Sequence, residues 1–202
     1  MGSRSFIFDV GNILLHWSPE EILRSALPAG AERAHFMRGI FAHPRWIDLD
    51  RGRVDQNQAA EEFAASVGCE THEILRILRV GQESLVPLAA GVSLLNELHE
   101  KGRDLICLTN MSRETFEHVR PKFPFWNVFR GIVVSGQVMM AKPEPAIFRY
   151  TLERYGLEAA STVFVDDHPA NVDAARSLGI VAIQYDGSES CLNEIRGLAG
   201  LP

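Results

Sequence analysis

Phe6-Ile7-Phe8-Asp9-Val10-Gly11 is a short apolar run that stops at an acid. Four further runs share its character: 105–108, Ile132-Val133-Val134, Val163-Phe164-Val165 and 180–183. All are continuous rather than alternating, the pattern of strands buried on both faces of a parallel sheet. Helical patterns separate most of them. Val92, Leu95 and Leu98 recur every three residues ahead of Gly102, which reads as a helix stop. Phe148, Leu152 and Tyr155 follow Pro145 at a first helical turn, and Pro169 opens a helix that Gly179 ends. Strand–helix alternation of this kind implies a three-layer α/β domain.

The rhythm breaks between residues 16 and 86, where no strand is predicted. Helices are expected near 19–27, 31–41, 55–67 and 71–80, with Ile74, Leu75 and Leu78 forming the apolar face of the last. The segment Phe41-Ala42-His43-Pro44-Arg45-Trp46 reads as an irregular loop. An insertion of this length far exceeds an ordinary βα connection. It is expected to be a helical cap, residues 16–86, on a core made of residues 1–15 and 87–202.

The 202 residues carry a net charge of −6, with 46% hydrophobic and 23% charged residues, as ordinary globular chains do. At 22.5 kDa a chain buries about 70% of its unfolded surface, so no disulfide or structural metal is needed. An acidic chain without a run of Lys or Arg argues against nucleic acid, whose phosphates dominate such binding. No apolar stretch reaches the length of a membrane span. Cys69, Cys107 and Cys191 are scattered and form no CxxC pair, so they read as small buried side chains in a reducing compartment. Met1-Gly2-Ser3-Arg4-Ser5 holds no apolar signal core, and a cytoplasmic protein, monomeric or weakly dimeric, is expected.

The chemistry lies where the strands end. The first run ends at Asp9, the second at Thr109 and the fourth at Asp166-Asp167. In open α/β sheets, ligands bind outside the carboxyl ends of strands. Lys142, ahead of Pro143, can reach the same crevice from a loop. Any one of these residues alone reads equally as a cap or turn residue; together they point to a site. Three carboxylates and one ammonium leave an excess of two negative charges, which is costly in a partly dry cleft. A divalent cation restores balance, and Mg²⁺ suits carboxylate and carbonyl oxygens. Such a site can accept a phosphoryl group, and an Asp carboxylate is a known nucleophile toward it.

Four segments in order resemble the haloacid dehalogenase superfamily, in the subgroup with a helical cap after the first strand. They are Phe6-Ile7-Phe8-Asp9-Val10-Gly11-Asn12-Ile13, Cys107-Leu108-Thr109-Asn110, Ala141-Lys142-Pro143-Glu144-Pro145 and Phe164-Val165-Asp166-Asp167-His168-Pro169-Ala170-Asn171. The resemblance implies a Rossmann-like core and a Mg²⁺-dependent phosphatase acting on a small phosphorylated metabolite, with a sugar phosphate as the first guess. It makes Asp9 the nucleophile, has Thr109 and the backbone at Asn110 bind phosphoryl oxygens, and has Lys142 hold nucleophile and transferred group together. Asp9, Asp167, Asp166 and the Gly11 carbonyl would hold the metal, and Asn12 would stand with Gly11 and Asn110 among the substrate contacts.

Gly11 departs from the pattern. Most phosphatases of the superfamily carry a second Asp there, which protonates the leaving oxygen and then activates water. Such general acid–base help is typically worth about 10²–10⁴ in rate. His16, His43 and His168 are candidate substitutes, although His168 reads more readily as an exposed helix cap. Arg45 suits a second anionic group and Trp46 suits stacking on a sugar, each equally readable as part of an inter-helix turn. Two other readings remain: a 2-haloacid dehalogenase using Asp9 without metal, and a non-catalytic phospho-ligand binder.

Overall fold

The computed structural model describes residues 4–201. The reading of Met1 to Ser3 as lacking a signal falls outside them. After β1 (Ser5–Phe8) come α1 (Pro19–Ala26), α2 (Arg33–Phe36) running into a π-helical turn (Met37–Phe41), α3 (Arg45–Asp50), α4 (Gln56–Val67) and α5 (Thr71–Ser84). The chain continues through α6 (Ala89–Glu100), β2 (Asp104–Thr109), α7 (Arg113–Val119), a 3₁₀ turn (Pro124–Val128), β3 (Gly131–Val134), α8 (Ser135–Val138) and α9 (Pro145–Tyr155). A second 3₁₀ turn (Ala159–Ser161), β4 (Thr162–Asp166), α10 (Pro169–Ser177), β5 (Val181–Gln184) and α11 (Glu189–Leu198) complete it.

The five strands form one parallel sheet in the order β3-β2-β1-β4-β5. Alternate residues feed two separate apolar layers. Phe6, Phe8, Leu105, Cys107 and Val163 pack with Leu94, Leu95 and Leu98 of α6 and Ile195 of α11. On the other face, Ile7, Ile106, Leu108 and Phe164 pack with Ile147 and Phe148 of α9 and Val172 of α10. Both faces are covered, so the strands read as unbroken apolar runs. This is the Rossmann-like three-layer α/β fold.

Strand order reverses about β1, since β2 and β3 lie on one side and β4 and β5 on the other. Loops leaving β1 and β4 therefore diverge and open a crevice at the carboxyl edge. Helices α1–α5 bury a third apolar cluster of their own, including Ile22, Leu23, Ile40, Phe63, Ile74 and Ile77. Two chain crossings connect it to the sheet side by side: His16 N–H donates to the Val86 carbonyl at 2.9 Å, and Leu88 N–H to that of Leu14 at 2.9 Å.

Local expectations changed in three places. The stretch read as a loop is helical at both ends: Phe41 closes the π-helical turn and α3 starts at Arg45, directly after Pro44. The helix expected over 31–41 divides into α2 and the π-helical turn. The helix expected over 71–80 runs on to Ser84, because Gly81 offers no side chain and lets Ile22 and Trp17 pack against the helix. All three cysteines are free; Cys107 and Cys191 are buried as expected, and Cys69 is half-buried. Among the described residues no helix is long and apolar enough to cross a membrane.

Gly91 shows how tightly α6 holds the segment after β1. A Cβ there would lie 1.8 Å from the Ile13 carbonyl oxygen, a backbone atom that cannot swing aside. Gly→Ala inside a helix ordinarily stabilises by about 1 kcal/mol. Here Gly91→Ala is expected to destabilise by about 1–3 kcal/mol, the usual cost of overpacking, read as a lower midpoint in denaturant.

Candidate active site

Asp9 leaves the end of β1 with its N–H still donating to the Val165 carbonyl, at 2.9 Å. This extends the β1–β4 register by one residue and sets Asp9 beside the end of β4. The chain then curls tightly, and the Val10 carbonyl accepts N–H bonds from Leu14 and Leu15 at 2.9 and 3.0 Å. The curl puts Asn12 at φ 52°, a left-handed conformation that Asn tolerates better than most side chains. Its side chain ties three segments together: Nδ2 donates to Asp167 Oδ2 at 3.1 Å, and Oδ1 accepts the Trp17 N–H at 3.1 Å.

Lys142 is 2% exposed and sits between two acids. Its Nζ lies 2.8 Å from Asp9 Oδ1 and 2.6 Å from Asp166 Oδ2. Asn110 fixes the lysine's backbone from β2's end, donating through Nδ2 to the Lys142 carbonyl and accepting the Lys142 N–H on Oδ1, both at 2.9 Å. Asp166, wholly buried, also accepts the His168 N–H at 2.9 Å and both-oxygen bonds from Asn171 Nδ2 at 2.9 and 3.1 Å. Burial pushes the Asp9 carboxyl up to about 7; Lys142 opposes this, Asp166 adds to it, and the Val10 N–H opposes it. Burial works against the Lys142 ammonium, but Asp9 and Asp166 outweigh it and hold its pKa above the ordinary value.

Above these groups is a cavity of about 290 Å³. Asp9, Thr109, Asn110, Lys142 and Asp167 line one end. The rest is largely apolar, with Trp17, Phe41, Trp46, Leu49, Ile77 and Leu78 contributed by the segment between β1 and β2. Carboxylate oxygens of Asp9, Asp166 and Asp167 all lie within 4.8 Å of one another. That oxygen-only donor set, with its uncompensated negative charge, fits a hard divalent cation.

The structure thus brings together Asp9, Gly11, Asn12, Thr109, Asn110, Lys142, Asp166 and Asp167. The Asn110 side chain is spent on positioning Lys142, which leaves free the backbone expected to contact phosphoryl oxygens. Arg45 is not in the cavity wall. Glu62 and Asp48 hold its guanidinium at 2.8 and 3.1 Å, since they are nearer than any ligand site. Trp46 does line the cavity, within an aromatic cluster in which it stacks on Phe63 with centroids 6.1 Å apart. His16 faces outward and pairs with Glu21 at 3.0 Å. His43 accepts the Arg45 N–H at 3.1 Å and packs its ring on Phe63. His168 is at the cavity wall, exposed, as the residue preceding α10.

Sequence reasoning missed two contributors. Asn171 was quoted within its motif but given no part; its place in the first turn of α10 aims it at Asp166. Asp50 fell just past the supposed loop; had α3 been read as a helix, its i, i+4 spacing from Trp46 would have marked it. Burial above all, and also the charge of Asp9, push the Asp50 carboxyl up to about 7, against a hydrogen bond from Trp46.

Known proteins resemble this chain in sequence and fold. The chain is 28% identical over 197 residues to the sesquiterpene phosphatase astK of Aspergillus oryzae, spanning 98% of this chain and 97% of that protein. Among solved structures it shares the fold of the HAD family enzyme Bt-2542 of Bacteroides thetaiotaomicron, crystallised with magnesium and inorganic phosphate. That match has a TM-score of 0.75 at 21% identity, over 93% of this chain and 96% of the other. An L-2-haloacid dehalogenase from Xanthobacter autotrophicus, solved with chloropropionic acid covalently bound, shares it with a TM-score of 0.68 at 15% identity, over 97% and 83%. The sequence pattern of haloacid dehalogenase-like hydrolases matches residues 6–179, nearly the whole core and every strand-end acid, and the chain belongs to that family.

Proposed function

We propose that this protein is a magnesium-dependent phosphatase that cleaves a small phosphate monoester through an aspartyl-phosphate on Asp9. The observation that carries this reading is the Asp9 carboxylate, held 2.8 Å from a buried ammonium at the polar end of a largely apolar cavity. Residues 16–86 serve as the cap, and residues 1–15 and 87–202 as the core that bears the chemistry. Asp9, Asp167 and the Gly11 carbonyl, supported by Asp166, hold the metal, which when bound neutralises the acids and polarises the phosphoryl oxygens. Asp9 attacks phosphorus from the sheet edge. Lys142, fixed by Asn110, offsets charge on the transferred group, and the Thr109 hydroxyl donates to one of its oxygens.

The cavity also bears on the organic part of the substrate. A hexose needs hydrogen-bonding partners for its hydroxyls, while this wall is mostly indole, phenyl and aliphatic. An apolar alkyl or isoprenoid group fits that wall better, and the relationship to a sesquiterpene phosphatase supports the same class.

Asp9→Asn is expected to abolish turnover while preserving the thermal midpoint; a variant keeping a sizeable fraction of activity would refute the nucleophile. Magnesium alone should raise the midpoint, since a ligand at a hundred times its Kd adds about 2.7 kcal/mol. Asp167→Asn should weaken that shift; activity on p-nitrophenyl phosphate surviving EDTA would count against the metal, and halide released from chloroacetate would count for the dehalogenase reading. Burying a Leu-sized apolar group contributes about 1.5–3 kcal/mol, so kcat/KM for dodecyl phosphate should exceed that for glucose 6-phosphate by about tenfold or more. The opposite order would restore the sugar. Lys142→Met, which leaves two buried acids facing each other, is expected to cost about 3–5 kcal/mol in metal-free protein, measured by chemical denaturation.

A further inference from the structure

The phosphatase reading leaves one part unassigned. Position 11 carries no side chain, and nothing lies within 4 Å of where its Cβ would be. Some other group must protonate the leaving oxygen. Lys142 is locked between two carboxylates, Asp166 is occupied by three partners, and Asp167 is engaged with Asn12. His168 stands on the same wall as the metal-binding acids. Resting on that reading, we propose that Asp50 of α3 is the catalytic acid that replaces the missing carboxyl at position 11.

Three features support it. First, Asp50 enters the cavity from the helices, while Asp9 rises from the sheet edge. Phosphoryl transfer is in line, so the leaving oxygen faces away from Asp9 and into the cavity that Asp50 lines. Second, the end of α3 is anchored to the loops that carry the site. Ser135 Oγ donates to the Asp50 carbonyl at 2.5 Å and accepts the Met111 N–H at 2.8 Å, next to Asn110. Arg51 pairs with Glu144, two residues beyond Lys142. Gly52 lies so close to Gly136 that a Cβ would come within 2.3 Å of its carbonyl oxygen. The backbone that bears the carboxyl is thus held at its own carbonyl and at the two residues that follow it. Third, no Lys, Arg or His among the described residues forms an ion pair with it; Trp46, itself in the cavity wall, hydrogen-bonds it, and no cation neutralises it. Its raised pKa lets it hold a proton near neutrality, as a general acid must.

The proton balance closes over the two steps. As the Asp9 oxygen bonds to phosphorus, the ester P–O bond breaks and the Asp50 proton passes to the departing alkoxide. The Asp50 carboxylate then takes a proton from water as the water oxygen attacks phosphorus, the Asp9–phosphorus bond breaks, and phosphate leaves with both acids restored.

The test compares two esters in the Asp50→Asn variant. Dodecyl phosphate expels an alkoxide and needs the proton; p-nitrophenyl phosphate expels a stable anion and does not. The kcat/KM for dodecyl phosphate is expected to fall by about 10²–10⁴, and that for p-nitrophenyl phosphate by about fivefold or less. Adding Gly11→Asp, whose side chain has open space, should restore the alkyl ester. An equal loss on both esters, or none on either, overturns the inference while the phosphatase reading stands. If the unaltered protein hydrolyses neither ester with magnesium, both fall. The magnesium-induced thermal shift, retained in Asp50→Asn, separates a lost proton donor from a lost fold.

Discussion

One ammonium group organises the catalytic end of this molecule. Burying a lone lysine in a protein interior costs several kcal/mol, and Lys142 is tolerated there because two carboxylates meet it. Those acids come from β1 and β4, which must be neighbours for Asp9 and Asp166 to stand side by side. The lysine comes from the loop before α9 and is held by an asparagine at the end of β2. Three strands and a loop are thereby committed to one point. The remaining negative charge, including that of Asp167, suits the same point to a cation.

The sheet and its acids were legible in the sequence for a physical reason. Strands covered on both faces must be apolar throughout, and a polar residue at their ends then stands out, as Asp9, Thr109 and Asp166 do. The cavity was not legible in this way. Its wall combines Trp17, Leu49 and Ile77 from separate elements, and each reads in the sequence as ordinary core. Arg45 misled because an arginine near an active site suggests an anion, whereas Glu62 and Asp48 are closer to it in space. Asp50 escaped notice because an acid on a short polar helix looks like Asp48, which faces the surface arginines.

Asn12 illustrates how little of a site needs to be reactive. It occupies a left-handed turn, braces Asp167 with its amide nitrogen and receives the chain entering the helices with its amide oxygen. Gly11 beside it is permissive in a different sense. An empty position two residues after Asp9 leaves room at the polar end of the cavity, and under the proposed function it leaves acid–base work to a residue from another element.

The anchoring of α3 has a mechanical consequence. The helix end bearing Asp50 touches the sheet edge through Ser135, Glu144 and Gly136. Any motion that lifts α3 to widen the entrance breaks those attachments and withdraws the acid in the same stroke. On the proposed role of Asp50, access and proton supply share a single coordinate, because the acid leaves the site whenever α3 does.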